Sequence, residues 1–267
     1  MYIDICKKAV LEAKAAEIYQ LFLESFGRPL CQKEWRWFYI DNPVGDPYVS
    51  LFYESEKLLG HYAVLPTLLR FRGESFVAYR SMTTMVHPEG RGRGLFTGLA
   101  NRVYAMLQAS GASMVYGFPN SNSAPGFSKN LGWTLLPPDQ VYDISGDQIL
   151  DTPALQEALL GSADIEWDSL SKGQARWRCG IPGFQVLTRP GFLAKPYQGV
   201  LNILHIERSG IQCIERDRMY RVMLAPGVCE GLPTRDSLFD YQFGYRVFDT
   251  KYRDASFRRE LIMSDVF

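Results

Sequence analysis

TTMVHPEGRGRGLFTGLANRVYAMLQASGASMVYGFPNSNSAPGFSKNLGW, residues 83–133, is the stretch that decides the fold. Phe76 to Val86 leads into it as a nearly unbroken apolar and β-favouring run, long enough for a buried strand, and Pro88 ends that run. Glycines at 90, 92 and 94 then allow a tight turn. Leu95, Leu99, Val103 and Met106 follow at helical spacing, so the turn sits at a helix start. Its amides and the positive end of the helix dipole suit an anion such as a phosphate, and Arg91 and Arg93 add two cations. A lone glycine-rich turn is weak by itself. What strengthens it is the continuation: the helix stops at Ser110-Gly111, Ser113 to Phe118 reads as a second strand, and a short helix covers Ser123 to Asn130. This is a βαβ unit, which brings Pro119-Asn120-Ser121-Asn122 out at the same edge as the arginine turn.

The whole pattern resembles the GNAT superfamily of acyl-CoA N-acyltransferases, whose pyrophosphate turn is written R/Q-x-x-G-x-G/A after a strand ending V-x-P. Val86-His87-Pro88 matches the strand end, and Arg91-Gly92-Arg93-Gly94-Leu95-Phe96 matches the turn, with Phe96 in place of the final small residue. The family's later feature, an Asn on a strand and then a helix ending Y-x-x-x-G-F, corresponds to Asn120 or Asn122 and then Ser128 to Trp133, with Ser128 where a tyrosine acid often stands. The match covers residues 48 to 135 well and the rest loosely. It implies an α/β (α+β) mixed sheet in which an antiparallel meander leads into the βαβ unit. It further implies acyl-CoA as co-substrate and an amine as acceptor, most closely in the manner of enzymes that acylate nucleotide-linked amino sugars for surface polysaccharides.

Length and composition fit an ordinary soluble globular protein. The chain has 267 residues, enough for one large domain or two small ones. Twenty-nine basic residues balance 29 acidic ones, which gives no general reason to bind nucleic acid or an anionic membrane, so any anion must be bound locally. Cysteines 6, 31, 179, 213 and 229 are scattered and form no CxxC pair, arguing against a zinc site or a disulfide framework. No apolar run reaches the roughly 18 residues a membrane helix needs, and the expected place is the cytoplasm.

Outward from the central stretch, Tyr48 to Tyr53, Leu58 to Arg72 and Ser75 to Val86 read as a three-stranded meander, with Pro66 marking a bulge or an edge. Before it, Leu11, Ala15, Ile18 and Phe22 lie on one helix face ended by Gly27, and a second helix covers about Gln32 to Ile40. The second helix carries Trp35, Trp37, Phe38 and Tyr39, which either wedge helices onto the sheet or line an acceptor pocket. Leu136-Pro137-Pro138 divides residues 1–138, the lobe with the acyl-CoA site, from residues 139–267. In the latter, Asp151 or Thr152 can cap a helix with Pro153 in its first turn, and Val200 to Glu207, Ile211 to Glu215, Met219 to Leu224 and Phe239 to Phe248 read as strands. Trp35-Arg36 before Pro43 recurs as Trp177-Arg178 before Pro182, and Phe127 with Gly132-Trp133 recurs as Phe239 with Gly244-Tyr245. These echoes fit either a degenerate second copy of the lobe, without a glycine-arginine turn, or chance.

The chemistry needs a held thioester, a donor for the carbonyl oxygen and a neutral amine. The resemblance gives the turn, Arg91 to Phe96, to the pyrophosphate, and the backbone of Met85 and Val86 to the pantetheine arm. Asn120 or Asn122 would bond the pantetheine amide and Lys129 a phosphate of the nucleotide. Candidate proton carriers are His61, His87 and Ser128; Trp35, Trp37, Tyr79 and Ser81 are candidates for the acceptor wall. No carboxylate stands on the strand where these enzymes often have one, so water is the expected proton acceptor unless a histidine serves. No metal is expected. The alternatives are acylation of a small amine such as an antibiotic or amino acid, and a module that binds acyl-CoA without turnover.

Overall fold

The computed structural model of the protein describes residues 1–228 and 237–264. Strand β1 (Tyr2–Ile5) is followed by helices α1 (Lys8–Glu12), α2 (Ala15–Phe26) and α3 (Gln32–Tyr39), so the single first helix of the sequence pattern is two. Gly27 ends α2 at φ 70°, a left-handed cap that favours glycine. The meander is β2 (Tyr48–Glu54), β3 (Lys57–Phe71) and β4 (Glu74–Val86); then come α4 (Leu95–Ala109), β5 (Met114–Gly117), α5 (Ala124–Leu131) and β6 (Thr134–Leu135). The meander pairs antiparallel and β4 pairs parallel to β5, as the sequence pattern requires. Pro66 falls where β2 has already ended opposite Val64 and the next neighbour of β3 begins only at Leu69, so that side of the strand is a local edge.

The second half supplies β7 (Asp139–Ser145), α6 (Gly146–Asp151), α7 (Pro153–Leu160), β8 (Ile165–Trp167) and α8 (Lys172–Cys179). It continues through β9 (Leu187–Arg189), β10 (Phe192–Tyr197), β11 (Val200–Ile206), β12 (Met219–Leu224), β13 (Phe239–Tyr241) and β14 (Gly244–Val247). The stretch expected as a strand from Ile211 instead begins inside a 3-10 turn, Arg208–Cys213, and the expected strand Phe239 to Phe248 breaks at Gln242-Phe243. Strands β13-β7-β12-β11-β10-β9 form a second sheet. In it β9, β10 and β11 are an antiparallel meander and β11 pairs parallel to β12, the arrangement that β2, β3, β4 and β5 have in the first sheet. Where the first lobe has the long helix α4, the second has the 3-10 turn. The same strand arrangement therefore occurs in both sheets, and among the described residues the second has no counterpart of the helix that follows the glycine turn.

The copies do not divide cleanly at residue 138. In the first sheet the strand between β5 and β6 is β14, and in the second the strand between β12 and β13 is β7. The chain leaves β6 and crosses to the second sheet as β7; it leaves β13 and crosses back as β14. Each lobe thus completes its sheet with the other's strand. Gly244 sits where β14 passes beside β6, and a Cβ there would lie 2.5 Å from Leu135 Cδ2. A second return is β8, which pairs with the end of β3.

Other contacts lock the halves. The Trp37 and Trp177 rings, from α3 and α8, stack with centroids 4.9 Å apart, and each indole N–H donates to the other residue's carbonyl at 2.9 Å. The reciprocal partner of Trp177 is thus Trp37, two residues on from the Trp35 of the sequence echo. The segment before Ser264 runs between the sheets: Leu261, Ile262 and Met263 are buried with Leu69 and Met114 of the first sheet and Val141 and Leu204 of the second. Arg80 on β4 and Arg178 on α8, both buried, donate to carbonyls of this segment, at 3.1 Å to Ser264 and at 3.1 Å to Ile262 respectively. Buried guanidinium groups need such acceptors.

Candidate active site

The parallel pair β4–β5 is short. Its register covers only Tyr79 with Val115 and Arg80 with Tyr116, so from Met82 onward β4 has no strand neighbour on that side among the described residues. On its other side β4 bulges: His61 and Ala63 face Met85 and Met82, leaving Thr83 and Thr84 opposite Tyr62 alone. Thr83 takes φ 54°, unusual for a threonine and stabilised only by its surroundings. His61 supplies that support. Its Nδ1 lies 2.8 Å from the Thr83 carbonyl, which can only accept, so Nδ1 carries the proton. The ring is fully buried, its Nε2 has no partner among the described residues, and burial holds its pKa down at about 4. His61 clasps the bulge from inside the sheet and stays neutral.

After β4 the chain turns through Pro88–Gly90, with Gly92 at φ 74° and Gly94 at φ 71° as the N-cap of α4. Among the described residues, the amides of Gly92, Arg93 and Gly94 donate to no protein acceptor. A run of such N–H groups at the start of a fifteen-residue helix, with the helix dipole behind it, has the chemistry that suits an anion. Arg91 is exposed and has no ion-pair partner among the described residues, whereas Arg93 is held by two hydrogen bonds to Glu54, at 3.0 and 2.6 Å. The two arginines are therefore unequal. Leu95 is buried under the turn, and Phe96 packs edge-on to Phe127 at 5.0 Å, with its ring where a Cβ on Gly126 would stand. The large residue at the end of the motif is thus accommodated by a glycine on α5.

The remaining candidates lie apart. His87 is buried and engaged on both ring nitrogens: Nδ1 accepts from the Glu89 amide at 3.2 Å and Nε2 lies 3.2 Å from Glu24. Its ring caps the turn and ties it to α2. Ser128 and Lys129 are exposed on α5. Asn120 uses its side-chain oxygen to accept from the amides of Asn122 and Ser123 at 3.1 and 3.0 Å, holding the entry to α5, while Asn122 is exposed. Met85 is buried and Val86 half-buried at the end of β4, which pairs with β3 there but is not reached by β5. Trp35 and Trp37 are buried in the core cluster that contains Met82 and Met85, whereas Tyr79 packs with the α4 cluster, edge-on to Tyr48 at 5.4 Å. Burial beside that ring pushes the Tyr79 hydroxyl up to about 12. Ser81 is half-buried. The four proposed wall residues are thus shared between two faces of the sheet. Sequence reasoning missed Arg80 and Arg178, although an arginine inside an otherwise apolar strand, Tyr79-Arg80-Ser81, is itself a sign of a buried polar contact.

The acetyltransferase (GNAT) domain family matches residues 8–136, the segment that ends just before the crossing into the second sheet. The fold is that of a GNAT acetyltransferase. The likeness extends through both lobes. A GCN5-related N-acetyltransferase from Kribbella flavida superposes with a TM-score of 0.62 over 93% of this chain and 71% of that one, at 12% identity. Eis1 from Mycobacterium abscessus gives 0.56 over 92% and 73%, at 11% identity. A tandem GNAT protein from the clavulanic acid biosynthesis pathway gives 0.53, at 11% identity, over 92% of this chain and 98% of its own. Identities this low speak for the fold alone. No curated protein sequence matches the chain.

Proposed function

We propose that the protein is an N-acyltransferase that moves an acyl group from acyl-CoA to the amine of a small molecule. The observation that carries this reading is the turn: three amides and an Arg91 without partners among the described residues and two left-handed glycines at the start of α4, beside the end of β4 that β5 does not reach. Acyl-CoA supplies an activated thioester. The chain supplies the amides of Gly92 to Gly94 and Arg91 for the pyrophosphate, and the main chain of β4 near Met85 and Val86, on the side away from β3, for the pantetheine arm. The described residues contain no cluster able to hold a metal ion. For the acceptor, a nucleotide-linked amino sugar is the first class to test, on the strength of the sequence resemblance.

Because His61 is committed to the bulge and His87 to the turn, the proton leaves to water, and catalysis rests on placing a neutral amine against the thioester. The rate then rises with pH as the free amine becomes available. The test is a thiol-release assay with acetyl-CoA and a panel of amino-sugar nucleotides and small amines, from about pH 6 to 9. A second reading, acyl-CoA binding without turnover, is favoured by the same two occupied histidines. Binding of acetyl-CoA with no thiol release from any amine in that window would establish it and refute transfer.

A further inference from the structure

The two sheets can be compared row by row. At the parallel pair of the first, Leu65, Arg80, Tyr116 and Tyr245 stand opposite one another across β3, β4, β5 and β14. At the parallel pair of the second, Lys195, Asn202, Arg221 and Asp143 do the same across β10, β11, β12 and β7. Cross-strand partners share a face of the sheet. In the first sheet the segment before Ser264 covers the row: Arg80 donates to the Ser264 carbonyl at 3.1 Å, and the Tyr116 hydroxyl to that of Met263 at 3.4 Å. The buried cation of the first row therefore has acceptors.

The second row is satisfied only in part. Arg221 and Asp143 form a two-pronged ion pair, with both hydrogen bonds at 2.8 Å, and cancel each other. Lys195 is only 4% exposed, and among the described residues its ammonium makes no hydrogen bond and no ion pair. What it meets is the ring of Phe184, with Nζ 4.4 Å from the centroid. Unlike Oδ1 of the neighbouring Asn202, Nζ is not sealed from solvent, and Phe184 itself is 39% exposed. The charged groups that act on it are Arg178, from α8, and Glu34, half-buried on α3. Burial and then the Arg178 guanidinium hold the Lys195 pKa down at about 8, and Glu34 opposes them. A buried ammonium that has given up water without gaining an acceptor carries a desolvation penalty, which an anion can remove. With Arg221 cancelled by Asp143, the positive charge of Lys195 and Arg178 is in excess where β10 faces α3 and α8.

We propose that Lys195 anchors the anionic group of a small molecule, a carboxylate or a phosphate, where β10 faces α3 and α8, with the ring of Phe184 beside it. The site belongs to the second sheet and shares no residue with the acyl-CoA turn, so the proposal holds whether or not the protein is an acyltransferase.

Urea unfolding of the full-length protein and of Lys195→Met, in sodium chloride, sodium phosphate and sodium acetate of matched ionic strength, tests it. In chloride the variant should unfold at the higher urea concentration, because it buries a thioether in place of an unpaired charge. In phosphate or acetate the unmodified protein should gain on the variant; any phosphate held at the glycine turn stabilises both alike and drops out. Lysine labelled with ¹³C at Cε reads the same event on the unmodified protein, where Lys195 is recognised by its low pKa. Saturating anion should raise that pKa by at least ~1, a tenfold preference for the charged amine, while chloride leaves it in place. A rise with phosphate alone identifies a phosphate ligand, and with acetate alone a carboxylate. If Lys195→Met fails to fold, the labelled lysine decides by itself. A Lys195 pKa moved by neither anion, equal gains in both proteins, or a variant less stable than the unmodified protein in chloride would overturn the proposal.

Discussion

Replacing His61 by asparagine separates its clasp from its charge. The asparagine amide stands near the place of Nδ1 and can still donate to the Thr83 carbonyl, but it does not titrate. In the folded protein the imidazole pKa is held down at about 4 by burial, against about 6.5 in an unfolded chain. A depressed pKa contributes stability that is fully present above about pH 6.5 and is lost as pH falls through about 4, because the unfolded state takes up the proton first. At ~1.4 kcal/mol per unit, the wild-type protein should lose about 2 kcal/mol between about pH 7 and 5, and about 3 kcal/mol by about pH 4, relative to His61→Asn. Carboxylates titrate alike in both proteins and cancel in the comparison. Urea unfolding of the two proteins at matched pH values measures this directly. Parallel stability curves would mean that His61 does not stay neutral inside the sheet, and the account of it as the support of the bulge would fail.

Other outcomes are equally specific. Gly94→Val should leave the fold intact, since open space surrounds its Cβ position, yet forcing a β-branched residue to φ 71° costs about 1–3 kcal/mol locally and displaces the amides; acetyl-CoA affinity by calorimetry should vanish, and unchanged affinity would remove the anion site. Arg91→Ala should weaken acetyl-CoA by roughly tenfold, and Arg93→Ala by less because Glu54 already holds that side chain; the reverse order would contradict the geometry. Trp177→Phe keeps a ring on Trp37 and deletes one hydrogen bond, so it should cost about 1 kcal/mol, whereas Trp177→Ala should cost about 3–5 kcal/mol in urea unfolding. Ending the chain at Thr152 removes β14 and leaves β5 and β6 without their shared neighbour; aggregation or loss of cooperative unfolding is expected, and a stable, acetyl-CoA-binding fragment would show that the returning strand is dispensable.

The first lobe was legible because its signals are local. The β-favouring runs and short turns of 48–86, the glycines around Arg91 and Arg93, and the stops at Gly27, Gly111 and Gly132 each mark an element from neighbouring residues, and the observed strand bounds differ by a residue or two. The second lobe was partly legible. Val200 to Glu207 and Met219 to Leu224 read as strands, but the route of β7 and β14 could not be read, because the pairing of Tyr245 with Tyr116 is decided by packing between distant segments. Apolar periodicity says that a strand is buried and is silent on which sheet buries it. The site was legible where backbone chemistry makes it, at the turn. Side-chain roles were not: nothing in Gly60-His61 announces a ring enclosed by the sheet, and Trp37 is distinguished from Trp35 only by the partner it meets.

The exchange of β7 and β14 between the lobes also sets an order in time. A ribosome delivers β5 at residues 114–117 and its neighbour β14 only at residues 244–247. At about 5–20 residues per second, β5 waits on the order of 10 s with an unpaired edge. Through that interval the nascent first lobe offers an open strand to any other nascent copy on the same messenger, and the pairing it would accept is the one its own later segment makes. Slow codons or a bound holdase after β6 would lengthen or shield that exposure, so the yield of folded protein should depend on the tempo of synthesis of residues 118–247 more than on the stability of the finished molecule.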